Sequence, residues 1–159
     1  MQPYGGFWVR VMAYIIDAIL LYVATFVISL VLGLGAVGTA TWGPGGAQAM
    51  TALQGGASLL AMVFNWLYFA LMESSPRQAT VGKIAMGLVV TDEHGERIGF
   101  GRATGRYFGK IVSSIILGIG FLMVGWTERK QGLHDMMAGT LVYKARSPEL
   151  VRSSAAVFE

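Results

Sequence analysis

The stretch that decides the fold runs from Val11 to Leu34, VMAYIIDAILLYVATFVISLVLGL, twenty-four residues with one charge, Asp17. At 1.5 Å of rise per residue it is long enough to cross a hydrocarbon core of about 30 Å. Ahead of it Tyr4, Phe7 and Trp8 precede Arg10, and aromatic rings favour the boundary between lipid and water. A second apolar run, Thr51 to Met72, ends at Glu73-Ser74-Ser75-Pro76. From Val11 to Met72 no other acid or base accompanies Asp17; nearly all remaining charge lies after Met72. The hydrophobic fraction is 54% and the charged fraction 13%, against about 25% charged in a soluble domain. The segregation of charge suits a bilayer, and the two runs are read as membrane spans.

The segment between them, Gly35 to Met50, is rich in Gly, Ala and Thr and reads as a loop. Beyond Pro76, Thr80 is placed to cap a short helix from Val81 to Met86. Gly87 to Thr91 has a strand pattern, Asp92 to Gly95 a turn, and Arg97 to Phe100 is the expected returning strand. Arg102 to Lys110 opens a basic helix, followed by a third apolar segment, Phe108 to Trp126, interrupted by Gly118 and Gly120. Thr140 to Lys144 is another short strand pattern, which can also pair with Gly87 to Thr91. The expected architecture is an all-α integral membrane fold with two transmembrane helices, a third apolar segment and a small cytoplasmic cap with short strands. One membrane domain spans residues 1–146, and a disordered tail follows at 147–159.

Lysine and arginine placement sets the expected topology. The first loop has neither residue, whereas Glu73 to Tyr107 carries Arg77, Lys83, Arg97, Arg102 and Arg106. The N-terminus and the stretch after the second span are therefore expected in the cytoplasm, across a bacterial cytoplasmic (inner) membrane. The third segment has basic residues on both sides, so a re-entrant hairpin and a third crossing both stand. The N-terminal apolar run is too long for a signal peptide, carries Asp17, and is read as retained.

A net charge of +3, mixed with acids, gives no case for nucleic acid. The bases flanking apolar segments point to the lipid bilayer and its anionic headgroups. Arg102, Arg106 and Lys110, at steps of four, form a candidate headgroup-binding face, with ordinary anchoring as the plainer reading. Without cysteine there is no disulfide or thiolate chemistry. A lone His134-Asp135 pair lacks the ligand count for a metal. No cofactor is expected. No nucleophile has a base and an orienting partner, so an enzyme is not expected.

Three motifs carry a resemblance. They are Gly6-Phe7-Trp8-Val9-Arg10 with Ala13-Tyr14-Ile15-Ile16-Asp17; Glu73-Ser74-Ser75-Pro76 with Gln78-Ala79-Thr80-Val81-Gly82-Lys83 and Gly87-Leu88-Val89-Val90; and Gln131-Gly132-Leu133-His134-Asp135-Met136-Met137-Ala138-Gly139-Thr140. From Tyr4 to Tyr143 the chain resembles the RDD family, whose name-giving arginine and aspartates would here be Arg10, Asp17 and Asp135. The resemblance implies a membrane protein, with transport, including sodium–proton exchange, proposed for some members.

Asp17 is the sharpest chemical feature, because a carboxylate at the centre of a membrane helix costs about 2.5–3.5 kcal/mol on insertion scales. Arg10, Tyr14 and Asp17 fall on one stripe, so Tyr14 can bridge the two charges. On the second span Gln54, Ser58, Ala61, Asn65, Tyr68 and Met72 share a face, the small and polar kind that packs against neighbouring helices. In an antiparallel pair Asp17 and Asn65 reach similar depth. With Thr25, Ser113 or Ser114 they would offer oxygens to a sodium ion or exchange a proton; the plainer reading is a hydrogen bond that fixes helix register. Asp135 reads as the N-cap of a short helix ended by Gly139, or as a salt-bridge partner of Arg10 or Lys83. Two function classes follow: a carrier of small cations, protons or solutes, working as a homo-oligomer or in a larger complex, or a non-transporting scaffold or accessory subunit.

Overall fold

A computed structural model describes residues 4–40, 46–115 and 119–155. Helix α1 runs Phe7–Ala40 and α2 Gly46–Glu73. A short α3, Val81–Ala85, leads into strand β1, Leu88–Asp92. Then come α4 (Phe100–Ile115), α5 (Ile119–Leu122), a 3-10 turn at Met123–Gly125, α6 (Leu133–Met137), β2 (Thr140–Lys144) and α7 (Pro148–Ala155). The chain divides into two units, one built from Met1–Asp17 with Tyr68–Glu159 and the other from Ala18–Leu67.

The two long helices contain apolar stretches at Phe7–Val31 and Gln54–Glu73, with mean hydropathies of 2.3 and 1.5. Only 17% and 11% of these stretches is buried within the protein, so neither is the core helix of a water-soluble fold. In the second unit Tyr22, Phe26, Leu59, Leu60 and Met62 all stand exposed, as lipid-facing side chains do. The hydroxyls of Ser29 and Ser58 bond back to the carbonyls of Phe26 and Gln54 at 2.9 Å each, which meets their needs without water. Part of the expected loop is helical: α1 continues to Ala40 and α2 begins at Gly46. Its alanines favour helix, and no proline or charge interrupts the ladder before position 41. Residues 41–45 lie outside the described residues.

In the first unit β1 and β2 pair antiparallel, with Leu88 opposite Lys144, Val90 opposite Val142 and Asp92 opposite Thr140. Leu88, Val89, Val90, Leu141 and Val142 are buried and form a conventional apolar core with Ile98. The expected pairing of β1 with Arg97 to Phe100 is not what forms, since Phe100 already begins α4. The outer edge of β1 belongs to Gln78 instead. Its carbonyl accepts the Val90 N–H at 2.8 Å and its side-chain Nε2 donates to the Val90 carbonyl at 2.9 Å. The turn after β1 is closed by Asp92, whose Oδ1 accepts the N–H groups of His94 (2.9 Å) and Glu96 (2.8 Å). The outer edge of β2 meets the N-terminus: Gly5 N donates to the Val142 carbonyl at 2.8 Å, and Tyr4 bridges to Tyr143.

Of the third apolar segment the described residues form the end of α4, then α5 and the 3-10 turn, with α5 packed against α4; residues 116–118, including Gly118, lie outside the described residues. The contact is so close that a Cβ on Gly120 would meet Ser113 Oγ at 2.7 Å. Of the segment 147–159, expected as a disordered tail, Pro148–Ala155 forms α7 with Val151 2% exposed, and residues 156–159 lie outside the described residues.

Removing the Gln78 amide strips a buried partner from the Val90 carbonyl. Gln78→Ala is expected to destabilise the protein by about 1–3 kcal/mol, read as a lower melting temperature in detergent.

Candidate functional site

The polar residues of the first unit gather in two linked places. The first is Asp17, 1% exposed, near the middle of the α1 apolar stretch. Its Oδ1 accepts from the Tyr68 hydroxyl at 2.8 Å and from the Gly82 backbone N–H at 2.7 Å. Its Oδ2 accepts from the Thr80 hydroxyl at 2.6 Å. The Tyr68 hydroxyl in turn accepts the Val81 N–H at 3.1 Å, and Thr80 Oγ1 the Lys83 N–H at 3.4 Å. Thr80 is thus the cap of α3, as its sequence position implied, while Asp17 and Tyr68 serve the neighbouring N–H groups from outside that helix. The early N–H groups of a helix lack partners of their own, and here each has one.

Gly82 lets α3 come this close. A Cβ there would overlap the Ala13 carbonyl oxygen and stand 2.9 Å from Asp17 Cγ. Both obstacles belong to α1, so α3 lies directly on that helix between Ala13 and Asp17. Tyr14, the bridging candidate, is 61% exposed; the phenol that reaches Asp17 is Tyr68, on α2. Asn65 lies in the second unit and is half-buried there, as Thr25 is exposed there. The hydroxyls of Ser113 and Ser114 turn back to the carbonyls of Gly109 and Lys110 at 2.9 Å each.

The second place is an ion cluster around two carboxylates, Glu73 at the end of α2 and Asp135 on α6, 1% and 0% exposed at the side chain. Lys83 Nζ lies 2.5 Å and Lys110 Nζ 3.4 Å from Glu73 Oε1. Arg106 spans the two acids, with Nη1 3.7 Å from Glu73 Oε2 and Nη2 2.8 Å from Asp135 Oδ1. Arg10 pairs with Asp135 Oδ2 and fans its other donors to the carbonyls of Gly5 (2.8 Å) and Lys130 (2.5 Å). Two of the name-giving charges, Arg10 and Asp135, are therefore partners across 125 residues of sequence. The N-cap reading of Asp135 is corrected: the cap of α6 is Gly132, and Asp135 stands three positions later, accepting the Gly132 N–H at 3.2 Å. That return bond falls on Oδ2, the oxygen that also pairs with Arg10.

Of the headgroup candidates, Arg102 is exposed and pairs with Asp92 at 3.4 Å. Arg106 is instead 2% exposed, the largest of the fully buried side chains. Lys110 faces Glu73 and lies 4.4 Å over the Phe69 ring. Sequence spacing put all three on one surface; the carboxylates turn two of them inward. Glu73 and Tyr68 stand in the sequence reading only as part of a motif and of a packing face, and their places in the site were missed. The available signal was Glu73 itself, an acid ending an apolar run with Lys83 ten residues on.

Burial pushes the Lys83 ammonium down to about 7, with Arg106 adding to the fall and Glu73 opposing it. Burial likewise pushes His134 down to about 3, so it is neutral at physiological pH beside Asp135, at 3.3 Å. Asp135 is held below the usual carboxylate range: burial acts to raise it, and Arg106, His134 and Arg10 together outweigh that. Among the described residues no group of three His, Cys, Asp or Glu side chains could hold a metal.

The arginine and both aspartates of the three motifs are thus buried polar anchors of one unit. The RDD family model matches residues 4–139, which takes in all of them. The chain belongs to the RDD family. It is 40% identical over 152 residues to the uncharacterized protein YxaI of Bacillus subtilis (strain 168), covering 91% of this chain and all of that relative. No solved structure matches it. As an RDD protein with two apolar helices it is a membrane-type protein.

Because removing one member of a buried ion pair strands its partner, Asp135→Asn is expected to destabilise by about 3–5 kcal/mol. In Gly82→Ala the new methyl must push α3 off α1, so the Asp17 hydrogen bonds break and the melting temperature falls. The pH dependence has a definite sign. Lys83 has a folded pKa near 7 against 10.5 unfolded, so between those values the unfolded chain binds more protons and stability rises with pH. Lys83→Met is expected to flatten that rise in melting temperature, measured from pH 7 to 10. Asp135, also shifted downward, makes every variant that keeps it lose stability as pH falls below about 4.

Proposed function

We propose that this RDD protein is a bilayer-anchored assembly module, a scaffold or accessory subunit, in which the intramembrane carboxylate locks helices together instead of carrying an ion. The observation that carries this reading is the occupancy of Asp17. Three donors at 2.6–2.8 Å engage both of its oxygens, and one of them is a backbone N–H that cannot turn away without undocking α3. A carboxylate that must bind and release a cation would have to loosen these bonds at each turnover. The name-giving arginine is likewise spent, with its donors on Gly5, Lys130 and Asp135. Within the second unit the small, exposed Ser58 and, one turn on, the small Ala61 on α2 offer a surface for a neighbouring helix.

The module sits, on this proposal, in a bacterial cytoplasmic membrane as a homo-oligomer, with its N-terminus and the segment after α2 in the cytoplasm. The bias of lysine and arginine toward residues 77–106, against none between the apolar runs, supports that orientation. Exposed Arg102 remains the best placed of the three basic residues to meet anionic headgroups.

A carrier of protons or small cations is the second reading. It is favoured by one observation: every donor named on Asp17 is uncharged, so its protonation would break no ion pair. Proteoliposomes separate the two. The assembly module is expected to give sodium and proton flux no greater than empty vesicles, and Ala61→Leu is expected to lower its mass by light scattering in detergent. Flux that Asp17→Asn abolishes while the melting transition is kept would establish the carrier instead.

A further inference from the structure

Three helices of the first unit are built inside out. On α4 the buried positions are Ala103, Arg106, Gly109 and Ser113, whereas Phe108, Ile111 and Ile115 are 52%, 46% and 74% exposed. On α3 the buried residues are Gly82 and Lys83, and Ile84 is 45% exposed. On α6 they are His134 and Asp135, and Met137 is 61% exposed. A domain standing in water would be stabilised by doing the reverse, since burial of apolar surface is what drives its folding. It would also spare the cost of burying an arginine and a lysine. The strand pair of the same unit follows the ordinary rule, with Val90 and Val142 inside. The inversion is therefore confined to the helices.

Position along α1 gives the depth. Trp8 and Trp126, 76% and 69% exposed, line one groove together with Phe7 and Lys130. Exposed tryptophans beside a lysine are what membrane proteins hold at headgroup level. The α3 helix docks on α1 at Ala13 to Asp17, five to nine residues further on, which at 1.5 Å per residue is about 8–14 Å deeper along the axis. At that depth the medium is acyl chain.

We infer that α3, α4 and α6 lie immersed in one leaflet, with Ile84, Ile111, Ile115 and Met137 against the acyl chains of that leaflet and the ion cluster walled off behind them. The occupant of this apolar surface is lipid. The reasons are its continuity with the membrane helices, whose ends belong to the same unit, and the polar interior it covers. These helices are not part of a cap standing in the cytoplasm. The short α4 and the α5 packed back upon it enter the leaflet without crossing it.

The chain has no cysteine, so single-cysteine variants carry a nitroxide with no background. In vesicles, labels at Ile84→Cys, Ile111→Cys, Ile115→Cys and Met137→Cys are expected to relax faster with oxygen and to lose the effect of a water-soluble nickel chelate. His94→Cys, in the β1 turn where the side chain is 83% exposed, is expected to show the opposite order. Chelate access at the four sites equal to that at His94 would place the helices in water and overturn the inference. Exclusion of both reagents would mean a protein partner covers the face, and overturns it equally. Phe108→Cys and Val112→Cys, also on the exposed face of α4, replace any variant whose melting temperature departs from that of the parent.

Discussion

Asp135 carries no exposed surface and cannot be left without cations, and much of the first unit is arranged to supply them. Arg10 comes from the start of α1 and Arg106 from the middle of α4. Arg106 also leans on Glu73, which draws in Lys83 and Lys110. Two carboxylates and four basic side chains thus tie α1, α2, α3, α4 and α6 to one another. In a low-dielectric setting the attraction between such charges is strong but so is the cost of stripping their water, and the net gain in stability is small. What the cluster supplies is a penalty on every other arrangement, because a misdocked helix would leave a charge alone.

Asp17 does a parallel task with neutral donors. It gathers Tyr68, Thr80 and the N–H of Gly82, so the apolar α1 acquires a polar socket into which the first turn of α3 fits. Gly82 is the geometric condition for that fit, since no side chain can be accommodated between the Ala13 carbonyl and the Asp17 carboxylate. Through Thr80 and Lys83 the socket and the ion cluster are joined within four residues, at 80–83. The two name-giving aspartates, far apart in sequence and held by different chemistry, therefore support one assembly.

Much of this was legible in the sequence. The two long helices follow from uninterrupted apolar runs, and the α3 cap from Thr80 alone. The strand pair was legible through its β-branched residues, although the edge partner was not: Gln78 takes that place with a single residue at φ 51, and no periodicity announces one residue. The pairing of Arg10 with Asp135 was one of the alternatives open at the sequence level, and tertiary structure chose it. What the sequence concealed was which way α4 faces. Arg102, Arg106 and Lys110 share a stripe that reads as solvent-facing. The carboxylate of Glu73 and that of Asp135 reverse it, and they belong to elements 33 residues before and 29 residues after Arg106. The helical continuation into the Gly- and Ala-rich stretch after Leu34 was missed because glycine content reads as a loop when the alanines beside it are discounted.

The span between Arg10 and Asp135 also has a temporal meaning. A ribosome releases the arginine first and its aspartate 125 residues later. Arg106 reaches the insertion machinery before Asp135 does, and Glu73 before Lys83. For much of synthesis the nascent chain therefore holds charges whose partners do not yet exist. An arginine in that position can wait at the phosphate level, its side chain stretched toward the surface. Final docking of α4 and α6 must then be a late step, completed when the last acid emerges, and a chain stalled before residue 135 would leave its earlier half inserted but unlocked.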